Sequence, residues 1–432
     1  MSKKKNEQSE KKVEVRYVAR VEGQGAINVK VSSSGSTSAQ FAVFEPIRLF
    51  EAFLVGRKYN EVHELTSRIC GICPIAHQIA ALRAVENALR IVVTPQTRAL
   101  RRLLALGGWI QSHTLSLYFL TAPDYLGFDS AISMASRYED VVKQGLRLKK
   151  LGNDLSEIVG GRAIHPISAV VGGFTKAPAK EELAEIRKRL KKEKEDIWSA
   201  VELFSGFNYP EIDRKTELVA ISNDEEYAVN EGRLRSSSGI DSPEQDYRIH
   251  VQEKEVGYSN TKSSLIKGND FMVGPLARVS LNNEKLTPDA KKAAKHLGLD
   301  LPCYDPFANI KARVVEVVYA LDESIRIIDT LRLDFSEQPI QAEVGTPCEG
   351  AALTEAPRGL LYHWYKLDRS GVVQKADIVP PTAHNSTSIE ASLCALAPKL
   401  IEKGQDPTLG CEMLVRAYDP CISCSVHIAR IE

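Results

Sequence analysis

The sequence predicts an α+β protein that is predominantly α-helical, with long central helices, a small N-terminal β-sheet and a mixed peripheral lobe. Short alternating segments near the N-terminus predict the sheet, and long segments with helical spacing of apolar residues predict the helices. Hydrophobic residues make up 43% of the 432 residues, enough for a substantial core. We therefore expect a single large domain over residues 13–432.

The N-terminal strands are predicted within residues 13–44. Their sequences VEVRYVARV, AINVKV and AQFAVF alternate in character and are separated by glycine and serine, as in a small sheet. Residues 1–12, MSKKKNEQSEKK, are polar and precede no apolar segment. We interpret them as a disordered tail and not as a secretion signal, and we expect a cytoplasmic location.

The long helices follow from Ile47 onward. In AHQIAALRAVENALR, Ile79, Leu82, Val85 and Leu89 form one apolar stripe. TRALRRLLALGGWIQSHTLSLYFL predicts a buried central helix, and ARVVEVVYALDESIRIIDTL predicts another helix. Glycine, serine and short β-like pieces indicate a peripheral mixed lobe at about 207–300. The last hundred residues are punctuated by glycine and proline, so we expect them to be rich in loops.

Composition excludes several classes of function. Lys+Arg and Asp+Glu both number 56, and this balance argues against nucleic acid as the main partner. No apolar run reaches the roughly 18 residues that a membrane span needs. The eight cysteines are sparse and clustered, which suits a reducing compartment and metal chemistry better than a disulfide scaffold.

Two cysteine pairs of the same spacing lie near opposite ends of the chain. Cys70 and Cys73 lie in RICGICPIAH, and Cys421 and Cys424 lie in DPCISCSVH. Four thiolates form a complete set for a soft metal. Structural zinc sites usually take both pairs from one compact module, although closing a long loop costs only slightly more entropy than closing a short one. Spacing alone leaves both structural zinc and a catalytic metal open.

The residues around the cysteines resemble the large subunit of nickel–iron hydrogenases. The matching strings are R-x-C-G-x-C-x-x-x-H near the start and D-P-C-x-x-C-x-x-H near the end. Further family-like segments are RVEGQG at 20–25, FEAFLVGR at 50–57, GGRAIHP at 160–166 and EAPRG at 355–359. The chain looks most like the cytoplasmic, multi-subunit members that serve soluble electron carriers, and the resemblance implies their large-subunit fold.

This resemblance implies a nickel–iron centre. Cys70 and Cys421 would bind nickel alone, and Cys73 and Cys424 would bridge nickel and iron. The iron would carry carbon monoxide and cyanide. Soft, electron-donating thiolates suit a nickel ion that changes oxidation state.

The resemblance also implies the residues of catalysis. Dihydrogen is split heterolytically, with Cys421 as the first proton acceptor and Glu22 as the next carrier, because a carboxyl near a desolvated metal has its pKa raised towards neutrality. Arg358 would lie over the diatomic ligands of the iron. Asp419 would orient Arg358 or the loop around Cys421. His77 would donate a hydrogen bond to a bridging sulfur.

A second metal, magnesium or iron, is implied by Glu51 and His427, which resemble its ligands. Two departures from the family pattern stand out. Many members have aspartate where this chain has Ser112. Other members bond cyanide with a hydroxyl residue near Thr382. The remaining cysteines lack paired spacing, and we interpret them as core or loop thiols: Cys303, Cys348, Cys394 and Cys411.

The implied activity interconverts dihydrogen with two protons and two electrons. The sequence has no additional cysteine set and no G-x-G-x-x-G fingerprint after a strand, so the electrons would pass to a small subunit with iron–sulfur clusters. Flavin and iron–sulfur subunits would then reduce NAD(P), ferredoxin or another soluble carrier. Maturation factors, with a C-terminal endopeptidase among them, are also implied, since IARIE follows His427 either as a short retained tail or as part of a precursor.

Three other interpretations remain. A hydrogen sensor would share the metals but signal through a kinase. A non-catalytic scaffold that has lost its metal is disfavoured because all four cysteines are present. A structural Cys₄ zinc protein is the third.

Overall fold

The computed structural model describes residues 11–32 and 35–426. Helices provide most of the regular structure, and the strands form small separate sheets. This confirms the predicted α+β class with predominant helix. Within these residues, no helix combines the length and apolar character needed to cross a membrane.

The strands in the described residues are short. They are β1 (Lys11–Val15), β2 (Gly25–Val31), β3 (Thr37–Val43), β4 (Ala169–Val170), β5 (Gly173–Phe174), β6 (Glu217–Ser222), β7 (Arg233–Ser236), β8 (Asp241–Ser242), β9 (Val251–Lys254), β10 (Ser263–Ile266), β11 (Phe271–Met272), β12 (Cys348–Ala356), β13 (Gly359–Leu367) and β14 (Val373–Val379). Their sheets have the orders β1-β2-β3, β12-β13-β14, β11-β6-β7-β8, β10-β9 and β4-β5.

The helices range from single turns to long rods. They are α1 (Phe50–Leu54), α2 (Val62–Ser67), α3 (Pro74–Leu89), α4 (Pro95–Thr114), α5 (Ala122–Leu126), α6 (Ala131–Met134), α7 (Glu139–Gly160), α8 (Lys180–Asp196), α9 (Trp198–Ser205), α10 (Tyr247–His250), α11 (Pro275–Asn282), α12 (Pro288–His296), α13 (Ala308–Thr330), α14 (Pro381–Glu402), α15 (Pro407–Tyr418) and α16 (Ile422–Ser425).

The N-terminal sheet follows the predicted alternation. Ile27 and Val29 of β2 point to the core and are buried, and Phe41 of β3 pairs with Ile27. Successive side chains of a strand point to opposite faces, so the alternating apolar residues cover one face of the sheet. The three predicted strands are confirmed.

Helix α4 runs through the middle of the molecule and packs against α7 and α13. Glycine allows the close approach of α4 and α7, because a Cβ on Gly152 would lie 2.5 Å from the main-chain nitrogen of Gln111. Beyond Thr114 the helix continues as a π-helical segment, Leu115–Thr121. The predicted buried central helix is confirmed. Its far half reaches the first cysteine motif through Gln111, whose Nε2 donates to the carbonyl oxygen of Ile72 at 2.6 Å.

Helix α3 lies against β12 and β13. A Cβ on Gly350 would lie 2.3 Å from the main-chain nitrogen of Ala88, so this glycine lets the strand contact the helix main chain. Cys73 is the residue directly before the first turn of α3. The packing of α3 therefore fixes the position of the first cysteine pair.

The mixed lobe around residues 207–300 contains β6–β11 and the helices α10–α12. Part of it has its own apolar cluster, formed by residues such as Ile221, Leu234 and Phe271. Leu353 and Tyr362, from β12 and β13, complete that cluster. The lobe is thereby packed directly onto the hairpin that carries the EAPRG segment.

The structure differs from the sequence-based expectations at the two ends of the chain. The expectation of a loop-rich C-terminal hundred residues is wrong, because β12–β14, α14 and α15 occupy most of them. The second half of β12 is buried on both faces and shows no alternation, and α14 begins with polar residues that are buried in the fold. In the predicted tail, Lys11 and Lys12 belong to β1, and residues 1–10 lie outside the described residues.

Candidate metal centre

The two cysteine pairs meet in the interior. The Sγ atoms of Cys70 and Cys421 lie 3.2 Å apart, those of Cys73 and Cys424 lie 3.3 Å apart, and those of Cys421 and Cys424 lie 2.8 Å apart. All four sulfur atoms lie within 4.8 Å of one another and all four residues are buried. All four thiols are free, with no disulfide among them. Four sulfurs that converge at this separation can surround a metal.

Pairing between the N-terminal and C-terminal segments brings the two halves together. Ile422 donates its main-chain N–H to the carbonyl oxygen of Glu22 at 3.0 Å, and Glu22 forms a parallel bridge with Cys421. Further along, Arg48 donates its main-chain N–H to the carbonyl oxygen of Val426 at 2.9 Å. The C-terminal segment is thus held by main-chain bonds to residues from the first fifty.

Thr382, at the start of α14, fixes the main chain of Cys421. The N–H of Cys421 donates to Thr382 Oγ1 at 2.9 Å, and the Thr382 hydroxyl donates to the Cys421 carbonyl at 3.0 Å. The Thr382 hydroxyl proton is therefore already donated to the Cys421 carbonyl oxygen. Thr382 therefore acts here on the position of a cysteine, a role that the sequence did not reveal.

The electrostatics of the thiols favour a cation. Burial raises the pKa of Cys421 and of Cys424 well above the ordinary range. Hydrogen bonds from Cys421, and then from Cys424 and Cys73, lower the pKa of Cys70. Four negative charges cannot gather in an apolar interior unless a positive charge compensates them. A bound metal would keep all four sulfurs deprotonated, and the soft donor set suits nickel and iron.

Arg358 lies beside the cysteines and is held on two sides. Its Nη1 donates to Ser112 Oγ at 2.9 Å, and its Nη2 donates to Asp419 Oδ1 at 3.1 Å. Burial opposes the charge of Arg358, but the negative charges of Asp419 and of the cysteines outweigh it and raise the pKa of Arg358. The serine that replaces the family's aspartate therefore still offers an acceptor to this arginine.

Asp419 is held by a second arginine. Arg313 donates its Nη2 to the carbonyl oxygen of Ala417 at 2.7 Å, and its Nε lies 3.8 Å from Asp419 Oδ2. Burial lowers the pKa of Arg313 to about 10. Asp419 has a positive φ of 55° directly after α15. This left-handed conformation turns the chain from α15 into Pro420 and Cys421.

A fully buried group of charges lies behind Arg358. Arg278 forms a paired ionic contact with Glu316 at 2.7 and 2.6 Å and also donates to Glu355 at 2.9 Å. His113 Nε2 lies 2.9 Å from Glu316. Burial raises the pKa of Glu355 to about 7. Burial also opposes the charge of Glu316, but the charge and hydrogen bonds of Arg278, together with those of His113, outweigh it and lower the pKa of Glu316 to about 2. Arg278 and Glu316 were not predicted from the sequence, in which the available signal was a glutamate inside the apolar run VVEVV.

Glu22 lies next to the C-terminal cysteine pair. Its carboxylate Oε2 accepts the main-chain N–H of Ser423 at 3.0 Å. Burial, and then the charge of Cys70, raise the pKa of Glu22, and hydrogen bonds from Ser423 and Cys421 partly oppose them. The carboxyl therefore lies beside the C-terminal cysteine pair and is biased towards taking up a proton.

His77 begins a short chain of hydrogen bonds. Its Nδ1 shares a hydrogen bond of 3.1 Å with Nε2 of His363, and Nδ1 of His363 shares one of 2.6 Å with the hydroxyl of Tyr365. Burial lowers the pKa of His77 to about 4, so this ring is neutral. His77 was predicted from its place after the first cysteine pair, but His363 and Tyr365 on β13 were not, because no motif marks them in the sequence.

Glu51 lies apart from the sulfurs, in a small cleft with Glu253, Lys262 and Ser425. Its Oε1 accepts the main-chain N–H of Ile378 at 2.9 Å, and burial raises the pKa of Glu51 to about 7. His427, its predicted partner in a second metal site, lies outside the described residues. Within residues 11–32 and 35–426, the four cysteines form the only group of three or more candidate metal-ligating side chains.

Sequence comparison places the chain among known proteins. A family model described as nickel-dependent hydrogenase matches residues 48–144 and 206–427. The alpha chain of sulfhydrogenase 1 of Pyrococcus furiosus is 35% identical over 424 residues, which cover 97% of this chain and 98% of that protein. A chain of the vhu F420-non-reducing hydrogenase of Methanocaldococcus jannaschii is 30% identical over 410 residues, with 88% of this chain and 97% of that protein covered.

Solved structures share the fold. The NAD⁺-reducing [NiFe]-hydrogenase in its H₂-reduced state has a TM-score of 0.87 at 24% identity and covers 96% of this chain and 99% of its own. The reduced Ni-Fe-Se hydrogenase of D. vulgaris Hildenborough has a TM-score of 0.82 at 24% identity and covers 97% and 100%. The family match, the relatives and the buried group of four thiols agree. This chain belongs to the nickel-dependent hydrogenase family, as the large subunit of a nickel–iron hydrogenase.

Proposed function

We propose that this protein catalyses the reversible heterolytic cleavage of dihydrogen into two protons and two electrons. One observation supports the proposal above the others. The two cysteine pairs form a single buried group, with Glu22 paired to Cys421 along the main chain and Arg358 on its flank. The group therefore combines soft metal ligands, a proton acceptor and a fixed positive charge in one place.

The four thiolates would hold a nickel–iron pair whose iron carries carbon monoxide and cyanide. Cys70 and Cys421 would bind nickel alone, and Cys73 and Cys424 would bind both metals. In this division each kind of ligand takes one cysteine from each motif, and the sulfurs of those two pairs lie 3.2 and 3.3 Å apart. When bound, such a pair supplies the redox chemistry that cleaves dihydrogen.

Proton transfer would use Cys421 and Glu22. The Cys421 sulfur would take the proton released on cleavage and pass it to the Glu22 carboxylate, whose residue pairs with Cys421 along the main chain. A carboxyl whose pKa is raised can accept and release a proton near neutral pH. Ser423 holds the carboxylate in place through its main-chain N–H.

Two further residues would support the centre. Arg358 offers a permanent positive charge and spare donor capacity beside the cysteines, since its Nε has no hydrogen-bond partner within the described residues. His77, neutral and one helical turn beyond Cys73, would donate to a bridging sulfur and tune its basicity.

A second metal, magnesium or iron, would bind at Glu51. An ionised carboxylate is the ligand that such hard cations prefer, and a cation would offset the burial that raises the pKa of Glu51. We propose His427 as the other protein ligand. This metal would fix the C-terminal segment against α1 and β14.

The substrate would occupy a small apolar cavity beside the cysteines. A narrow space of about 10 Å³ touches Cys73 and is lined mainly by apolar residues that include Ile72, Ile75, Ala76 and Trp109. A cavity of this size accommodates a molecule no larger than water. Its position beside a cysteine fits a small, uncharged gas as substrate.

Electrons would leave through a small subunit with iron–sulfur clusters, because the other described cysteines form no metal-binding group. Exposed apolar side chains near Arg48, among them Phe44, Ile47 and Phe53, support a docking surface there. Flavin and iron–sulfur subunits would pass the electrons to NAD(P), ferredoxin or a similar soluble carrier. We propose a cytoplasmic location for the complex. We also propose that maturation factors insert the metals, and that an endopeptidase acting after His427 is one of these factors.

Metal analysis and infrared spectroscopy of the anaerobically purified complex test this function. We expect equimolar nickel, additional iron, and infrared bands of iron-bound carbon monoxide and cyanide, together with hydrogen uptake in the presence of a dye. Zinc without nickel, and no such bands, would contradict the proposal. The expected bands with negligible turnover would instead favour a hydrogen sensor.

A further inference from the structure

Arg278 on α11 is completely buried, and all five of its N–H donors are used. Nε and Nη2 donate to the two carboxylate oxygens of Glu316, at 2.7 and 2.6 Å. Nη1 donates to Glu355 Oε2 and to the carbonyl oxygen of Ala356, both at 2.9 Å. Nη2 also donates to the carbonyl oxygen of Pro357 at 2.9 Å. Such complete use of a guanidinium fixes its plane and its position.

Trp109 on α4 completes the arrangement. Its ring lies 4.5 Å from the Arg278 guanidinium carbon, and its Nε1 donates to the carbonyl oxygen of Glu355 at 3.1 Å. Three consecutive carbonyls, those of residues 355–357, are therefore each bound by one of two stacked side chains. We call Arg278 and Trp109 the carbonyl clamp.

The clamped carbonyls belong to the turn that presents Arg358. Strand β12 ends at Ala356, β13 begins at Gly359, and these two residues are paired. Pro357 and Arg358 therefore form a two-residue hairpin turn. Most turns lie at the surface, where water satisfies their carbonyls. This turn lies in the core, so protein donors must satisfy the carbonyls.

We propose that the carbonyl clamp is a positioning device for the reaction, which sets the direction in which Arg358 leaves its turn towards the cysteines. The consequence for turnover rests on the proposed hydrogenase function. Without the clamp, the peptide groups of residues 356 and 357 would rotate to find new donors. Arg358 follows directly, and its contacts with Ser112 and Asp419 at 2.9 and 3.1 Å leave little room for displacement.

The competing role is purely structural. In that role Arg278 stabilises the core, and the position of Arg358 does not depend on Arg278. The two roles differ in their dependence on Arg358. A positioning effect acts through Arg358 and therefore shrinks when Arg358 is already altered. A general loss of stability is the same whether or not Arg358 is present.

The test compares Arg278→Lys, Arg358→Lys and the double variant in the complete complex. Lysine keeps the charge of Arg278 but offers three donors in place of five. Because a displacement of about 1 Å can cost about 10²-fold, we expect R278K to lower kcat at least about 10-fold in the native background and less than about 3-fold in the R358K background. We also expect R278K to shift the infrared bands of the iron ligands in the same direction as R358K.

Arg101→Lys is the matched control. Arg101 is also buried, forms a paired contact with Glu86 and donates to one carbonyl oxygen, that of Val170, but it does not touch residues 355–358. We expect R101K to lower the thermal midpoint without moving the infrared bands. Equal losses of kcat from R278K in both backgrounds, or unchanged bands, would overturn the proposal.

A milder variant guards against misfolding of R278K. Trp109→Phe removes the donor to the Glu355 carbonyl and part of the ring volume, but it keeps an aromatic ring beside Arg278. We expect a band shift of the same sign but smaller size, and an unaltered band position in folded W109F would refute the clamp. A native complex without bands or turnover would instead contradict the hydrogenase function itself, so the two failures are distinguishable.

Discussion

The two cysteine pairs reach the same centre by different means. Cys70 and Cys73 precede α3, a helix of 16 residues, and the main-chain N–H groups of Ile72 and Cys73 point at the Cys70 sulfur at 3.3 and 3.4 Å. Local structure thus shapes the first pair. The macrodipole of a long helix also favours negative sulfur at its start.

Distant residues position the second pair. Helix α16, which follows Cys421, has only four residues. Its start is held by Thr382 from α14 and by Glu22 from the N-terminal segment. The first half-site is therefore held by contacts within its own segment, whereas the second is held by contacts with distant parts of the chain.

Loss of a metal-ligating sulfur gives the largest expected effect on nickel content and activity, and we expect the same effect for both cysteine pairs. Cys70→Ser and Cys421→Ser each remove a soft donor, so we expect loss of nickel and of hydrogen uptake in both. Nickel per chain and dye-linked uptake measure this. Cys303→Ser should retain both, since Cys303 lies outside the group. Retained nickel in either ligand variant would remove that cysteine from the centre.

Glu22→Gln separates the two roles of Glu22 at the second pair. The amide oxygen can still accept from Ser423, but the side chain no longer carries a proton, so we expect turnover to fall by roughly 10²–10⁴-fold. Nickel content and thermal midpoint should stay unchanged. The neighbouring Glu45→Gln should keep full turnover. A native rate in E22Q would exclude Glu22 from proton transfer.

Thr382→Val tests whether the second pair depends on distant contacts. It leaves the N–H and carbonyl of Cys421 without partners, at a cost of about 1–3 kcal/mol. We expect partial loss of nickel and a lower thermal midpoint. Thr66→Val is the control beside the first pair. The Thr66 hydroxyl bonds two carbonyls of its own helix, those of Val62 at 2.9 Å and His63 at 3.3 Å, and reaches the carbonyl oxygen of His77 on α3 only at 3.5 Å. Equal nickel loss in both variants would contradict the claim that only the second pair depends on contacts with distant residues.

Ser112→Ala gives the smallest expected effect. It removes one of the two acceptors that hold Arg358, and Asp419 remains. We expect turnover to fall by about 3- to 10-fold, which corresponds to about 1 kcal/mol. Ser116→Ala, whose hydroxyl makes no hydrogen bond within the described residues, should leave the rate unchanged. Equal rates for the two variants would mean that Asp419 alone holds Arg358.

The sequence predicted the elements whose patterns are local. Ile27 and Val29 alternate as a half-buried strand should, and Ile79, Leu82 and Val85 repeat at helical spacing and are buried. The motifs also identified the four cysteines, which the fold then brings together. In each case a short stretch of chain carries the whole signal.

The rest depended on contacts between distant residues. Strand β12 is buried on both faces near Arg358, so it lacks the alternation that marks a strand. In the sequence, Thr382 is an ordinary residue after a proline, and only the fold shows that it contacts Cys421. The role of Arg278 depends on its hydrogen bonds to the carbonyl oxygens of Ala356 and Pro357, which lie about 80 positions away in sequence. No local pattern encodes such pairings.

Anomalous diffraction at the nickel and iron absorption edges, from crystals of the native complex, tests the central claim most directly. The account predicts one nickel peak and one adjacent iron peak among the sulfur atoms of Cys70, Cys73, Cys421 and Cys424, with the iron peak on the side of Cys73 and Cys424. A single zinc peak at that position, or metal peaks remote from one of the two pairs, would contradict it.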